Sequence, residues 1–190
     1  MGFQMKDIYK KGSGLLLGAL SGLLALSGCS DNDAPTPVST EQSGITAVAN
    51  GADWASSKGN FKLGTRTVTN GASAYVGAGD TLTIIGVQVQ GADTTAIVLS
   101  VKLEAEKVGS YRLGNGTTAE GTAYYLTRIS GDALQETKET YNGGITNGEL
   151  RITEYDASDY KVSGDFGFSM SAPGETTYTV VAGKIENVTF

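Results

Sequence analysis

Histidine is absent from this 190-residue chain. The chain therefore lacks the one side chain whose ordinary pKa lies near neutral pH. A Ser-His-Asp triad and a histidine-liganded zinc are excluded with it. A pair of catalytic carboxylates, or an oxygen-ligated calcium, needs no histidine and stays open. Cysteine occurs once, at Cys29, so neither an internal disulfide nor a multi-thiolate metal site can form. Stability must then come from the core alone. Basic residues are scarce, 14 against 20 acidic ones. That balance argues against nucleic acid and against an anionic membrane surface as partners. Long apolar runs are also missing. The longest, Leu15–Leu26, has 12 residues and would span ~18 Å as a helix, well short of a ~30 Å hydrocarbon core.

What is present begins with that run. Lys6, Lys10 and Lys11 precede it against a single Asp7, and Ser27 and Gly28 follow it. A positive segment, an apolar segment and small residues form the layout of a secretory signal. The tetrapeptide Leu26-Ser27-Gly28-Cys29 resembles the lipobox of bacterial lipoproteins. The resemblance implies that the Cys29 thiol carries a diacylglycerol thioether. It also implies cleavage between Gly28 and Cys29, and acylation, for example with palmitate, of the new amine. Residues 1–28 are then a signal peptide and Cys29 is the first residue of the mature chain. Two or three acyl chains anchor a protein stably without any spanning helix, at ~0.8 kcal/mol per buried CH₂. Loss of residues 1–28 leaves the chain more acidic, at a net charge of −8.

Residues 29–43 continue as SDNDAPTPVSTEQS after the cysteine, with Val38 the only large apolar side chain. Such a stretch cannot bury enough surface to order itself and is read as a tether. Ser30 after the cysteine resembles lipoproteins sorted to the outer membrane. The acidic Ser30-Asp31-Asn32-Asp33 is similar to the surface-export signal of Bacteroidetes lipoproteins. The expected location is therefore the outer membrane, lipid-anchored, facing the periplasm or the outside. The partner expected first is the membrane itself, through the lipid.

From residue 44 to 190 the pattern is that of strands separated by turns. Ile45–Val48 precedes Asn50-Gly51, a strong hairpin signal. Phe61–Val68 reads as one strand and precedes a second Asn-Gly at 70–71. Leu82–Val89 is apolar on both faces. Ile97, Leu99, Val101 and Leu103 share one face of the next strand, with Ser100 and Lys102 on the other. Leu150 and Ile152 face one way; Glu149, Arg151 and Thr153 face the other. Tyr160, Val162, Phe166, Phe168 and Met170 alternate with Lys161, Ser163, Asp165 and Ser169, and Gly164 takes an inward position, which predicts close packing or a bend. The parity of the last strand slips between Ile185 and Val188, which predicts a bulge at Glu186 or Asn187. The expected fold is a single all-β domain, residues 44–190, built as an antiparallel β-sandwich, with an up-and-down or flattened β-barrel as the alternative. Two long intervals, 104–121 and 130–147, are candidate functional loops. A short helix over Asp132–Thr140 is conceivable in the second.

The ending GELRITEYD…KVSGDFGFS…AGKIENVTF resembles uncharacterised Bacteroidetes lipoproteins of unknown function, as does Val48-x-Asn50-Gly51-x-x-Trp54. This resemblance implies fold and location and supplies no catalytic residue. No cofactor or metal motif is present either. Glu154, Asp156 and Asp159 could hold calcium, but Asp and Ser are ordinary turn residues. Asp132, Glu136 and Glu139 could supply a carboxylate pair, although solvated surface charge is the better account of them. The glycines at 77–79 and 114–116 open no helix and so do not resemble a phosphate cradle. Trp54, Tyr124 and Tyr125 are the candidate ligand-binding residues, because aromatics at a sheet edge stack on sugar rings, although sheet packing also favours them. The expectation is a non-enzymatic envelope lipoprotein that binds a glycan or protein ligand. A carboxylate-dependent glycan hydrolase and a structural subunit of a surface assembly are the alternatives.

Overall fold

A computed structural model describes residues 43–63, 65–114, 116–127, 144–171 and 177–190. Cys29, Gly28, residues 30–42 of the tether, the 132–140 segment and its three carboxylates lie outside these residues. Turn chemistry divides the described chain into twelve strands and, among the described residues, no helix. They are β1 (Gly44–Ala49), β2 (Ala52–Ala55), β3 (Phe61–Leu63), β4 (Arg66–Val68), β5 (Ala72–Gly77), β6 (Thr81–Gln90), β7 (Asp93–Lys102), β8 (Gly109–Leu113), β9 (Gly121–Leu126), β10 (Gly144–Asp156), β11 (Lys161–Ser171) and β12 (Tyr178–Thr189). Asn50 and Gly51 adopt φ of 50° and 83°, the left-handed pair that a two-residue hairpin turn demands, and they close β1 onto β2. Gly91, at φ 63°, does the same between Gln90 and Asp93.

Ten strands form one sheet in the order β2-β1-β12-β11-β10-β8-β9-β7-β6-β5. Every pairing in it is antiparallel except β8 with β9. That exception is a single bridge, Leu113 to Gly121. It acts as a seam between a six-stranded half and a four-stranded half. The halves curl toward each other, so that Trp54 and Ile45 from one end of the sheet meet Gly86 from the other. The chain is thus all-β, with one curled, mostly antiparallel sheet that has the architecture of a β-sandwich or half-barrel. Its outermost strands, β2 and β5, are four and six residues long, short edges of the kind that resist edge-to-edge pairing.

The inner faces enclose one core. Ile45, Leu82, Ile84, Ile97, Leu99, Leu113, Leu150, Ile152 and Ile185 are all essentially inaccessible. The predicted inward sets on β7, β10 and β11 are the ones buried, except Tyr160, which lies in the turn before β11 at a φ of 55° and is 59% exposed. Leu82–Val89 is apolar on both faces for a separate reason. Leu82 and Ile84 join the main core, while Ile85 and Val87 point outward into a second cluster with Val68 and Ala96. The roof of that cluster is the β3–β4 hairpin, which supplies Phe61 and Leu63. The segment Phe61–Val68 is therefore two strands and not one. Leu63 pairs with Arg66, so the two strands run antiparallel to each other. Tyr75 fastens this roof, donating its hydroxyl to the Thr67 carbonyl under the Arg66 guanidinium. Asn70-Gly71 is a turn but joins strands of different sheets.

The bulge expected at Glu186–Asn187 is present. Val162 pairs with Val188 and Gly164 with Ile185, so two residues of β12 oppose Ser163, and Asn187 sits at φ 48°. A second bulge, at Val181–Ala182 opposite Gly167, was not anticipated. The interval 104–121 contains β8, anchored by Tyr111, whose hydroxyl donates to the Lys107 carbonyl at 3.0 Å. Gly164 is inward and buried. A β-carbon there would collide with the backbone carbonyl of Arg151 on β10, which cannot swing aside as a side chain would. Gly164→Ala is accordingly expected to destabilise the domain by about 1–3 kcal/mol, the usual cost of overpacking. A lowered urea midpoint with an unchanged slope would register it.

Candidate functional site

One end of the curled sheet opens into a cavity of about 270 Å³. Its walls come from strand ends that are remote in sequence. Ala49, Ala52, Asp53 and Trp54 flank the β1–β2 turn, and Gln88, Gln90, Asp93 and Thr95 flank the β6–β7 turn. Tyr125 and Thr127 come from the end of β9, and Tyr178 from the start of β12. These strands end together because β6–β7 and β1–β2 are both tight hairpins in the same curled sheet.

The floor is aromatic. Trp54 is 3% exposed and Tyr125 8%. The indole Nε1–H donates to the Thr95 hydroxyl at 2.8 Å. That bond ties β2 to β7 across the fold and satisfies a buried donor that would otherwise carry a desolvation cost. The Tyr125 and Tyr178 rings stack at a centroid distance of 5.5 Å and an interplanar angle of 25°. Burial pushes the Tyr125 hydroxyl above the ordinary tyrosine pKa, partly offset by a hydrogen bond with Thr95, with Tyr178 adding a small upward push. The phenol is therefore protonated, and the floor uncharged, throughout the neutral range. The rim is polar, and among the described residues its charged side chains, Asp53 and Asp93, are acidic, with no lysine or arginine.

Of the three aromatic candidates, Trp54 and Tyr125 meet at this cavity and Tyr124 does not. Successive strand residues point to opposite faces, and Tyr124, 44% exposed, lies on the outer face of β9. Tyr178, Gln88, Gln90, Asp53 and Asp93 were not candidates. Each sits at a strand end, where no periodicity marks a residue, and only the folded topology assembles them.

The acidic turn resolves toward turn chemistry. Asp156 Oδ1 accepts from the backbone N–H of Ser158 at 2.7 Å and of Asp159 at 2.9 Å. These bonds hold its carboxyl below the usual carboxylate pKa. Among the described residues no acidic cluster could hold a metal. Asp53 and Asp93 share the mouth but are both exposed, whereas an acid–base carboxylate pair works from a cleft that shields one member. A shallower groove on the outer face runs past Glu149, Arg151, Asp165 and Lys184. There Arg151 and Asp165 form an ion pair at 2.6 Å, exposed to solvent and so worth little energetically.

Fold and cavity together define a small all-β domain with a polar-rimmed, aromatic-floored mouth. Residues 62–189 match the family described as Domain of unknown function (DUF6252), and the chain belongs to that family. The match takes in the β6, β7, β9 and β12 contributions to the mouth, and the β1–β2 hairpin with Trp54 lies before it. No curated protein and no solved structure matches the chain.

Proposed function

We propose that this protein is a bacterial envelope lipoprotein whose β domain binds a ligand at the Trp54–Tyr125–Tyr178 mouth and catalyses no reaction. Lipid on Cys29 holds it to the outer membrane after residues 1–28 are removed, and residues 29–43 serve as the tether. The lipobox-like Leu26-Ser27-Gly28-Cys29 supports the anchor, and the Bacteroidetes-like signal at residues 30–33 supports exposure on the cell surface. The single observation that carries the binding reading is the cavity itself. Its apolar floor has a few convergent polar groups above it, the usual composition of a ligand site.

The path of β1 favours this reading. Gly44 pairs with Glu186 at the far end of β12, and Ala49, on the cavity wall, pairs with Val180 near its start. A six-residue strand is about 20 Å long. The first described strand therefore begins well away from the mouth.

Trp54 is the sole tryptophan, so its emission reports on the cavity with no competing signal. Titration of the full chain with fractionated envelope extract should shift or quench that emission. Ala52→Phe, at an exposed wall position, should abolish the response by filling the mouth while leaving the unfolding midpoint unchanged. An unaltered response in Ala52→Phe, or none in the wild-type chain, would refute a ligand site at this cavity.

A further inference from the structure

We infer that the ligand taken at this mouth is a single sugar ring without negative charge, the neutral end of a glycan. The inference rests on the binding reading above and adds the chemical class. Size limits the occupant first. At about 270 Å³ the cavity falls just under the ~300–1,000 Å³ of sites for drug-sized ligands. It accepts one ring and not a buried oligomer.

The aromatic geometry comes next. Trp54 and Tyr125 are almost wholly buried and form the floor. Tyr178 is half-buried, stacked on Tyr125 and part of the cavity wall. It is the most exposed of the three rings, and a flat apolar surface backed by a second ring suits the C–H face of a pyranose.

The polar groups then decide the class. Gln88 and Gln90 each present both donors and acceptors, and Asp53 and Asp93 present acceptors. A sugar hydroxyl both donates and accepts, so one ring edge can satisfy the whole set. An ammonium ligand only donates and would leave the amide N–H groups unmatched. A carboxylated or phosphorylated ligand would face two carboxylates, with no cation among the described residues of the cavity wall to offset them.

An array of immobilised neutral hexoses, N-acetylhexosamines, free hexosamines and hexuronic acids, probed with the full chain, tests this. Retention is expected on neutral or N-acetylated sugars and at least about tenfold weaker on hexuronic acids, given two like charges within a few ångströms. Tyr178→Ala should weaken retention by about tenfold, as loss of an aromatic platform does. Tyr178→Phe should retain it, showing that the fold tolerates change there, and Tyr124→Ala, on the outer face, should leave it unchanged. The double variant Asp53→Asn/Asp93→Asn should narrow the gap between neutral and hexuronic sugars. Preference for hexuronic acids or free hexosamines, indifference to Tyr178→Ala, or no retention of any sugar would each overturn the inference. In the last case the Trp54 response separates the two claims. If it persists and remains sensitive to Ala52→Phe, the cavity binds something other than a sugar; if it is absent, the binding reading fails as well.

Discussion

Cys29→Ala is expected to remove the protein from the outer-membrane fraction altogether. Lipid transfer of the lipobox type needs the thiol as nucleophile, and alanine offers none. Cleavage in that scheme follows lipidation, so the variant should keep residues 1–28 and gain no lipid mass. The difference in partitioning should be large. A single acyl chain binds membranes only marginally, while two or three are effectively stable, so loss of all of them should cut outer-membrane retention by at least about a hundredfold. The uncleaved apolar run, 12 residues long, is too short for a comfortable permanent span and should not restore the lost location. Intact-mass analysis of the native protein checks the premise directly, because the sulfur should carry diacylglycerol and Cys29 should be the first residue. Gly28→Trp isolates the second step. A bulky residue beside the scissile bond should leave the lipid in place and block cleavage, giving a lipidated chain heavier by residues 1–28. A wild-type protein with a bare thiol and an intact leader would refute the anchor. The β domain's binding chemistry is a separate claim, resting on described lining residues that all lie between positions 49 and 178.

Much of the fold was legible because strand physics is local. The period-2 burial of Ile97, Leu99, Val101 and Leu103 follows from side chains alternating across a pleat, and all four are buried. Asn50-Gly51 specified its own hairpin through the left-handed φ both residues tolerate. The Glu186–Asn187 bulge showed as a parity slip, because an extra residue must flip every later side chain. The second bulge left a similar trace, since Val180 and Gly183 are both inward, three positions apart. A glycine carries no hydropathy signal, however, so that slip does not show in the apolar pattern. The double-sided apolarity of Leu82–Val89 matches burial on both faces, in two separate clusters. It could not identify the cover, because the β3–β4 roof depends on contacts between segments about 20 residues apart, for which the sequence has no local mark. The mouth was the least legible part. Trp54 and Tyr125 were chosen for their chemistry. Their partners Tyr178, Asp93 and Gln88 are ordinary strand-end residues until the sheet curls and brings its ends together.

That curl leads to the second large effect, at Trp54. The indole is buried, bonded to Thr95, and packed against Gly86 from the opposite end of the sheet. A β-carbon on Gly86 would lie 2.9 Å from the indole Cη2 and 3.0 Å from Ile45 Cδ1. Glycine at position 86 thus reads as room made for the tryptophan, and the pair latches β2 to β6. Trp54→Ala should cost about 3–5 kcal/mol, as large-to-small changes in a packed core do. It also leaves the Thr95 hydroxyl without its donor. For a domain of this size each kilocalorie is worth roughly 2–4 °C, so the melting temperature should fall by about 10 °C or more. Gly86→Ala alone should destabilise by about 1–3 kcal/mol through overpacking. In a Trp54→Phe background the smaller ring vacates the space a methyl group would take, and the same change should cost markedly less. The double-mutant cycle should therefore show favourable coupling of about 1 kcal/mol, well above the few tenths expected of independent sites. Strict additivity would mean that the two ends of the sheet do not bear on each other through this contact. The wall that Trp54 provides for the ligand mouth would then have to be held by the Thr95 hydrogen bond alone.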